Sequence, residues 1–461
     1  MSAASRPEFP AAAPPADPRE ARLLGLYAQR QEGLLMQRLK AGGGRLTVEQ
    51  WRAVLDLAGD LTPDHPLRLT TRQDLEFHGL RPELVPEVQR RLAAAGLTTL
   101  GACGDTLRNI TECPGCAGPD LGPLAGRIRE ALGGLDCLFS LPRKFKISLS
   151  ACAEACAKPW INDLGLAANP DGTFRAVLGG SLGPAPGLGL LCYESLVPAD
   201  VPALAVAAVR LHDVEGDRGN RRRARLRHVR ERLGDGEFRR RLDGLFRAEL
   251  ARNPPAPLAL GPAGRPGRAL RLAVAHGELP ADAIRALLVA VEVAGGSLSA
   301  GLEHDLLVNG LGVGELPAVL RDRVGAPRVV ACPAAHLCVH GLVETRELSD
   351  AIRAALPPVC DLTVALSGCP NNCTHAPVAD IGLVGRVRKV DGLSRPHFRL
   401  LAGGGGGRSP EVASELDPAV PAAEVPERVR QLVGLWLSSG ASDGTGFSAW
   451  FRTRASEKGH G

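Results

Sequence analysis

Aromatic side chains are scarce in this chain, at 3%, with only two tyrosines and four tryptophans. So few rings leave little with which to stack the bases of a single-stranded nucleic acid. No run of eighteen or more uncharged apolar residues occurs, so no membrane-spanning helix is expected. The first twenty residues, MSAASRPEFPAAAPPADPRE, lack both a basic start and an apolar stretch; the expectation is a protein that stays in the cytoplasm. A strong charge of one sign is missing too. The net charge of +5 only mildly favours an acidic partner.

General disorder is excluded by what is present, since 44% of residues are hydrophobic and apolar runs recur. A length of 461 residues is enough for two to four buried cores. In a reducing compartment the twelve cysteines are not a disulfide framework, which leaves core residues, nucleophiles and metal ligands.

The chain repeats itself once. LSACAEACAKPWINDLGL at 149–166 aligns with LSGCPNNCTHAPVADIGL at 366–383, FRAVLGG at 174–180 with FRLLAGG at 398–404, and DLEFHGL at 74–80 with DLLVNGL at 305–311. Three matches in one order, with offsets of 217 to 231, define two homologous halves of roughly 22–250 and 265–440. Short Val/Leu/Ile runs alternate with Ala/Leu/Arg stretches of helical period, so each half is read as α+β, with a pseudo-twofold axis between them. Residues 1–20 and 441–461 read as mobile tails, and 251–267, rich in Pro and Gly, as the linker.

The cysteines cluster. ACPAAHLCVH gives Cys332-x5-Cys338, and thirty residues later SGCPNNC gives Cys369-x3-Cys373. Two close pairs of thiolates suit a tetrahedral zinc or a cubane iron–sulfur cluster, and the five-residue gap favours the wider cubane. A second set, Cys113, Cys116, Cys152 and Cys156, lies in the first half. Cys103, Cys137, Cys192 and Cys360 have no partner pattern and read as small buried hydrophobes or odd surface thiols.

C-x5-C followed by G-C-P-N-x-C resembles the signature of the sulfite and nitrite reductase haemoprotein family, and the duplicated architecture extends the resemblance over nearly the whole chain. It implies two fused halves, each a ferredoxin-like subdomain plus a sirohaem- and cluster-binding α+β subdomain. The expected bounds are 21–100 and 101–250, then 268–325 and 326–440. It implies a [4Fe–4S] cluster on Cys332, Cys338, Cys369 and Cys373, with Cys373 also ligating the sirohaem iron. The family's first half generally carries no cluster, so the first-half cysteines are read as persisting core residues, with a second cluster as the alternative.

The resemblance also marks a substrate site. LTTRQDLEFHGL contains Arg72, GDTLRNI contains Arg108, and LPRKFKISLS contains Lys144 and Lys146, at positions whose cations face the substrate side of sirohaem in the family. Arginine is always protonated and forked, so Arg72 and Arg108 are expected to clamp oxyanion oxygens; a buried lysine can lose its proton, so Lys144 and Lys146 are expected as proton sources. In a strand those two lysines share a face, with Phe145 opposite. Lysine at both positions resembles ferredoxin-type assimilatory sulfite reductases, and ferredoxin-dependent nitrite reductases typically have asparagine at the second. Two departures stand out: Glu76 replaces a usual glutamine and adds charge near the site, and Glu303 stands where the second half would carry its counterpart of Arg72.

RGNRRRARLRHVRER at 218–232 reads as a helix in which Arg218, Arg221 or Arg222, and Arg225 share one face toward the eight carboxylates of sirohaem, with Arg223, Arg227 and Arg230 solvated. Arg143 and Asn371 are further cofactor candidates. Gly179 and Gly180 are expected to let the backbone approach the tetrapyrrole, or else to form a surface turn. No flavin or nicotinamide fingerprint is visible, so an external donor, an acidic ferredoxin, is expected. The expected reaction is the six-electron reduction of sulfite to sulfide. Alternatives are a ferredoxin–nitrite reductase, a cobalamin-pathway oxygenase resembling precorrin-3B synthase, against which the TTRQ and RKFK motifs argue, and a cluster-bearing sensor or scaffold without turnover.

Overall fold

A computed structural model of the chain describes residues 14–113, 116, 118–263, 269–440 and 446–458. Strands β1 (Leu26–Ala28), β2 (Leu35–Leu39), β3 (Arg68–Leu69) and β4 (Leu75–Leu80) form an antiparallel sheet in the order β1-β2-β4-β3. The helix Val48–Leu61 starts at a capping box in which Thr47 Oγ1 accepts from Gln50 N at 3.2 Å and Gln50 Oε1 accepts from Thr47 N at 3.1 Å. Its buried Trp51, Val54, Leu55 and Ala58 recur at the helical period and pack on that sheet.

Next come β5 (Leu107–Glu112), β6 (Pro119–Asp120), β7 (Phe145–Ser150), β8 (Leu164–Ala168), β9 (Phe174–Leu178) and β10 (Leu190–Leu196). Five of them make a sheet in the order β10-β9-β8-β7-β5, in which β5, β7 and β8 are parallel and β9 and β10 antiparallel. After β11 (Gly261–Ala263), which pairs with β6, the pattern returns. Strands β12 (Leu270–Ala273), β13 (Ser297–Ala300) and β14 (Asp305–Asn309) form a sheet in the order β12-β14-β13. Finally β15 (Arg328–Ala331), β16 (Thr363–Ser367), β17 (Ile381–Val390), β18 (Leu393–Ala402) and β19 (Ser414–Pro421) lie in sequence order, three parallel and two antiparallel. Both five-stranded sheets therefore share one topology, as two homologous α+β halves require.

Fine detail repeats as well. Positive φ at Ala155 (51°) and Lys158 (54°) recurs 217 residues on at Asn372 (52°) and His375 (66°). The two ferredoxin-like sheets are not separate units, because one hydrophobic core contains residues of both, from Leu26 to Leu97 and from Leu272 to Leu320. Cross-half hydrogen bonds run through it: Trp51 Nε1 donates to the Leu298 carbonyl at 3.1 Å and Gln73 Nε2 to the Ala300 carbonyl at 3.1 Å.

Three expectations change. The C-terminal segment expected as a mobile tail contains the helix Phe447–Lys458, whose Phe447 and Trp450 are buried against Trp436 in the last core; residues 441–445 and 459–461 fall outside the described residues. At the other end Asp17 caps a helix Pro18–Leu23, and residues 1–13 lie outside the described residues. The arginine run is a helix only from Leu226 to Leu233, because Asp217 accepts from the amides of Gly219 and Asn220 at 2.9 Å each and Asn220 from that of Arg222 at 3.1 Å. Those side-chain turns hold Arg218, Arg221 and Arg222 in a loop rather than on one helical face. Among the described residues no helix is long and apolar enough to cross a membrane.

Glu303 locks the halves together. It accepts from Lys158 at 2.8 Å, and it pairs with Arg328 at 2.7 Å and Arg271 at 3.3 Å. Burial alone would raise its pKa, but Lys158, Arg328 and Arg271 outweigh it and hold the carboxyl well below its usual range. Removing the charge would leave Lys158 without its carboxylate in a desolvated place, while Arg328 keeps Asp361 and Arg271 keeps Asp305, a loss of about 3 kcal/mol. Glu303→Gln is therefore expected to lower the thermal unfolding midpoint by several degrees, whereas Glu87→Gln, which breaks an exposed pair with Arg90, leaves it unchanged.

Candidate functional site

The second-half cysteines occupy the ends of two adjacent parallel strands. Cys332 follows β15 and donates its amide to the Leu366 carbonyl at 3.2 Å; Cys369 and Cys373 follow β16. The five residues between Cys332 and Cys338 are used by a helical turn, Ala334–Leu337, which ends with the Cys338 amide bonded to the Ala334 carbonyl at 2.8 Å. A side chain at Gly368 would run into Ala334, which is why glycine precedes Cys369. The loop beyond is held by Ser367 and Thr374, whose hydroxyls are 2.7 Å apart.

Cys369 is buried, Cys332 and Cys338 half-buried and Cys373 exposed. The Gly368 amide donates to Cys332 Sγ at 3.2 Å. Burial, and then the neighbouring Cys373, push the Cys332 thiol up to about 12; burial followed by the same neighbour raises Cys338. Asn371 lies beside Cys369, and its backbone and side chain both favour that thiolate. Thiolates within electrostatic reach of one another, supplied with amide donors, are the donor set a [4Fe–4S] cluster requires.

Cations approach from the first half. The segment TTRQD between β3 and β4 is a tight turn, with Gln73 at φ 61° and Thr70 Oγ1 accepting from the amides of Arg72 at 3.2 Å and Asp74 at 3.0 Å. Thr71 Oγ1 donates to the Cys373 carbonyl at 2.8 Å, so this turn is fastened to the cysteine loop of the other half. The Arg72 guanidinium donates to Asn162 Oδ1 at 3.1 Å and to the Asn109 carbonyl, and its Nε is buried without a partner. Arg108 lies on β5, Lys146 on β7 and Lys144 just before it, with Phe145 fully buried on the opposite face against His212. Asp163 fixes the β7 backbone by accepting from Lys146 N at 2.8 Å.

None of Arg72, Arg108, Lys144 and Lys146 forms an ion pair among the described residues. Burial depresses them all, and neighbouring cations add to it, Arg38 in the case of Arg108. Arg72 falls to about 10 and Lys144 to about 7, with Arg108 the first cation acting on each, while Lys146 falls well below its usual value with Arg72 and Lys144 as neighbours. A cavity lined by Thr71, Arg72, Lys146, Lys158, Asn162 and His375 opens beside them. Crowded cations that outnumber the carboxyls near them, Asp74 and Asp163, are the counterpart of a polyanionic occupant, and sirohaem with its eight carboxylates fits them.

The sequence reading missed Lys40, which stands alone after β2 in no recognisable motif. Its Nζ donates to the Leu107 carbonyl at 3.0 Å, and burial, with Arg108 and Arg72 nearby, pushes it down to about 8. Glu76 does not burden the cavity as expected, because it is buried against Arg38 at 2.6 Å and His78 at 3.1 Å. The carboxyl near the cations is Asp74, raised by burial to about 6.

Several cofactor candidates are engaged elsewhere. Arg225 is buried in a two-pronged pair with Asp163, at 2.7 and 3.1 Å, and so positions Lys146 through that aspartate. Arg143 pairs with Asp105 at 3.1 Å and Arg221 pairs with the same residue; Arg218 holds Asp213 and the Ser140 carbonyl. Arg222 and Asn371 are exposed. Arg227 and Arg230, expected in solvent, bond Ser181 Oγ at 2.9 Å and the Leu188 carbonyl at 2.9 Å. Gly180 is glycine because a side chain would meet the Trp160 carbonyl, and Gly179, at φ 73°, packs under Arg230; both serve the chain's own packing.

Residues 103–248 and 326–446 match the family model described as nitrite and sulphite reductase 4Fe-4S domain, and 27–95 match the nitrite/sulfite reductase ferredoxin-like half domain. The assimilatory ferredoxin-dependent nitrite reductase of Haloferax mediterranei is 30% identical over 89% of this chain and 80% of its own. The ferredoxin–nitrite reductase of Synechococcus elongatus is 29% identical over 87% and 86%. The sulfite reductase [NADPH] hemoprotein beta-component of Acidithiobacillus ferrooxidans is 30% identical over 76% and 74%. Among solved structures, Mycobacterium tuberculosis NirA has the same fold, with a TM-score of 0.77, 23% identity, and coverage of 94% of this chain and 89% of that one.

The charge crowding predicts a pH effect. A lysine with a depressed folded-state pKa binds its proton less tightly when folded, so Lys40 costs nothing above about 10.5 and most below about 8. In cofactor-free protein Lys40→Met is therefore expected to raise the melting temperature at pH 7 and to leave it nearly unchanged at pH 10.5.

Proposed function

The chain belongs to the nitrite and sulphite reductase family, and from that premise we propose that its cation-lined cavity binds sulfite and carries its six-electron reduction to sulfide. Membership makes it an oxidoreductase of nitrite or sulfite, and its residues fit the cofactor pair of that family, a [4Fe–4S] cluster and sirohaem. The observation that carries the choice of substrate is the pair Lys144 and Lys146, both directed away from buried Phe145 and both within electrostatic reach of Arg72 or Arg108. Two lysines beside two arginines suit a doubly charged oxyanion better than singly charged nitrite.

In this reading Cys332, Cys338, Cys369 and Cys373 would hold the cluster, and Cys373 would also serve the sirohaem. When bound, these cofactors supply the electrons and the iron at which the substrate is reduced. The chain's own residues do the rest. Arg72, anchored by Asn162 and Asn109, and Arg108 orient the oxyanion and offset its charge. Sulfite to sulfide takes up six electrons and six protons and releases three waters. Lys144, with a pKa of about 7, holds a proton it can give up near neutrality, and Lys146 lies beside it. Ferredoxin is the donor that several relatives name, and twelve cysteines with no disulfide suit a cytoplasmic location.

Nitrite is the second reading, favoured by the Haloferax mediterranei and Synechococcus elongatus relatives. The test is a visible spectrum of the purified protein, followed by assays with reduced viologen on both anions. Lys146→Asn is expected to lower kcat/KM for sulfite about tenfold more than for nitrite, one lost charge interaction of about 1.4 kcal/mol. Equal losses would favour nitrite, and a spectrum without sirohaem bands would sink both.

A further inference from the structure

The first-half cysteines are not scattered core residues. Cys113 leaves the end of β5 as Cys332 leaves the end of β15, and Cys152 and Cys156 follow β7 as Cys369 and Cys373 follow β16. Each half therefore presents four thiols at the same place in the same sheet topology. The loops after β7 and β16 even share their left-handed residues, Ala155 and Lys158 matching Asn372 and His375.

One difference separates the two sets. In the second half the leading pair is C-x5-C, and the intervening residues form a helical turn that spreads the thiols. In the first half it is C-x2-C, with only two residues between the thiols. There all four sulfur atoms lie within 4.8 Å of one another, with Cys116 Sγ 3.2 Å and Cys152 Sγ 3.4 Å from Cys156 Sγ. Among the described residues no other group of three or more metal-ligand side chains closes to that distance.

The distances discriminate between metal centres. Four thiolates on one zinc, at a Zn–S bond of about 2.3 Å, place their sulfurs about 3.8 Å apart. A cubane puts a separate iron under each thiolate and needs them further apart. Gaps of two and three residues are also the knuckle spacings of structural zinc, and zinc is among the metals that thiolate-rich sets take. The Ala151 amide donates to Cys113 Sγ at 2.9 Å, the kind of contact that steadies a metal-bound thiolate.

We propose that Cys113, Cys116, Cys152 and Cys156 coordinate a single zinc ion, separate from the iron–sulfur site of the second half. The ion ties the loop after β5 to the loop after β7. Two residues beyond Cys156, Lys158 lines the anion cavity and reaches across to Glu303. Zinc thus fixes the base of the latch between the halves.

Elemental analysis of the purified holoenzyme tests this directly. One zinc per chain is expected in addition to iron, and cobalt substituted into the protein is expected to give thiolate-to-cobalt charge transfer with tetrahedral d–d bands. Cys116→Ser/Cys156→Ser is expected to lose the zinc while keeping iron, labile sulfide and sirohaem absorption. Should that variant fail to fold, titration of the wild type with a mercurial is expected to release one zinc to a chelating dye. Three results would overturn the proposal: no zinc above background, loss of four iron and four sulfide in the double variant, or a Cys116–Cys156 disulfide in freshly prepared protein. Because zinc is counted apart from iron and turnover, failure here is distinguishable from failure of the reductase reading.

Discussion

Like charge buried in one place governs this molecule. Arg72, Arg108, Lys144, Lys146 and Lys40 converge without a carboxylate paired to any of them among the described residues, and each is driven toward its neutral form by burial and by neighbouring cations, Arg38 in the case of Arg108. Such an arrangement is unfavourable for the protein alone and becomes favourable only when anions occupy it. Much of the surrounding structure holds these cations against their repulsion. Asn109 and Asn162 restrain Arg72, Asp163 fixes both the β7 backbone and Arg225, and the Leu107 carbonyl receives Lys40. Arg72 is held toward the second half because Thr71 fastens its turn to Cys373.

Parallel strand ends explain why the cysteines lie where they do. Adjacent parallel strands release their following loops on the same side of a sheet, so motifs far apart in sequence meet there without long connections. The same frame, used twice, accommodates thiols in both halves. What differs is the length of chain between the first two cysteines, and that length sets how far apart the sulfurs stand.

The duplication was legible in the sequence because it left cysteines, glycines and an aspartate at fixed offsets, and the structure returns the same sheet order and the same left-handed residues. The convergence of Lys144 and Lys146 followed from strand alternation. Other features were hidden for physical reasons. A run of eight arginines carries the helical preference of arginine, but Asp217 and Asn220 outcompete it locally with side-chain turns. Pairing partners are invisible one residue at a time: Glu76 reads as a surplus charge until Arg38 and His78 close on it, and Lys40 reads as an ordinary surface lysine until its strand carries it inward. The helix Phe447–Lys458 was obscured by polar surroundings, since only its first residues are apolar enough to bury.

Among the differences between the two halves, one symmetric pair of contacts bears on the cation-lined cavity. Arg72 corresponds to Glu303, and His375 to Lys158, so the contact between each turn and the opposite cysteine loop exists twice. In one copy Arg72 and His375 line the cavity, His375 is depressed by burial and then by Lys158, Lys146 and Arg72, and Arg72 has no ion pair among the described residues. In the other copy Glu303 and Lys158 neutralise each other at 2.8 Å and recruit Arg328 and Arg271. One arginine-to-glutamate difference between the repeats thus replaces an arginine that has no ion pair among the described residues by a buried ion network, which adds to the shared hydrophobic core in holding the halves together.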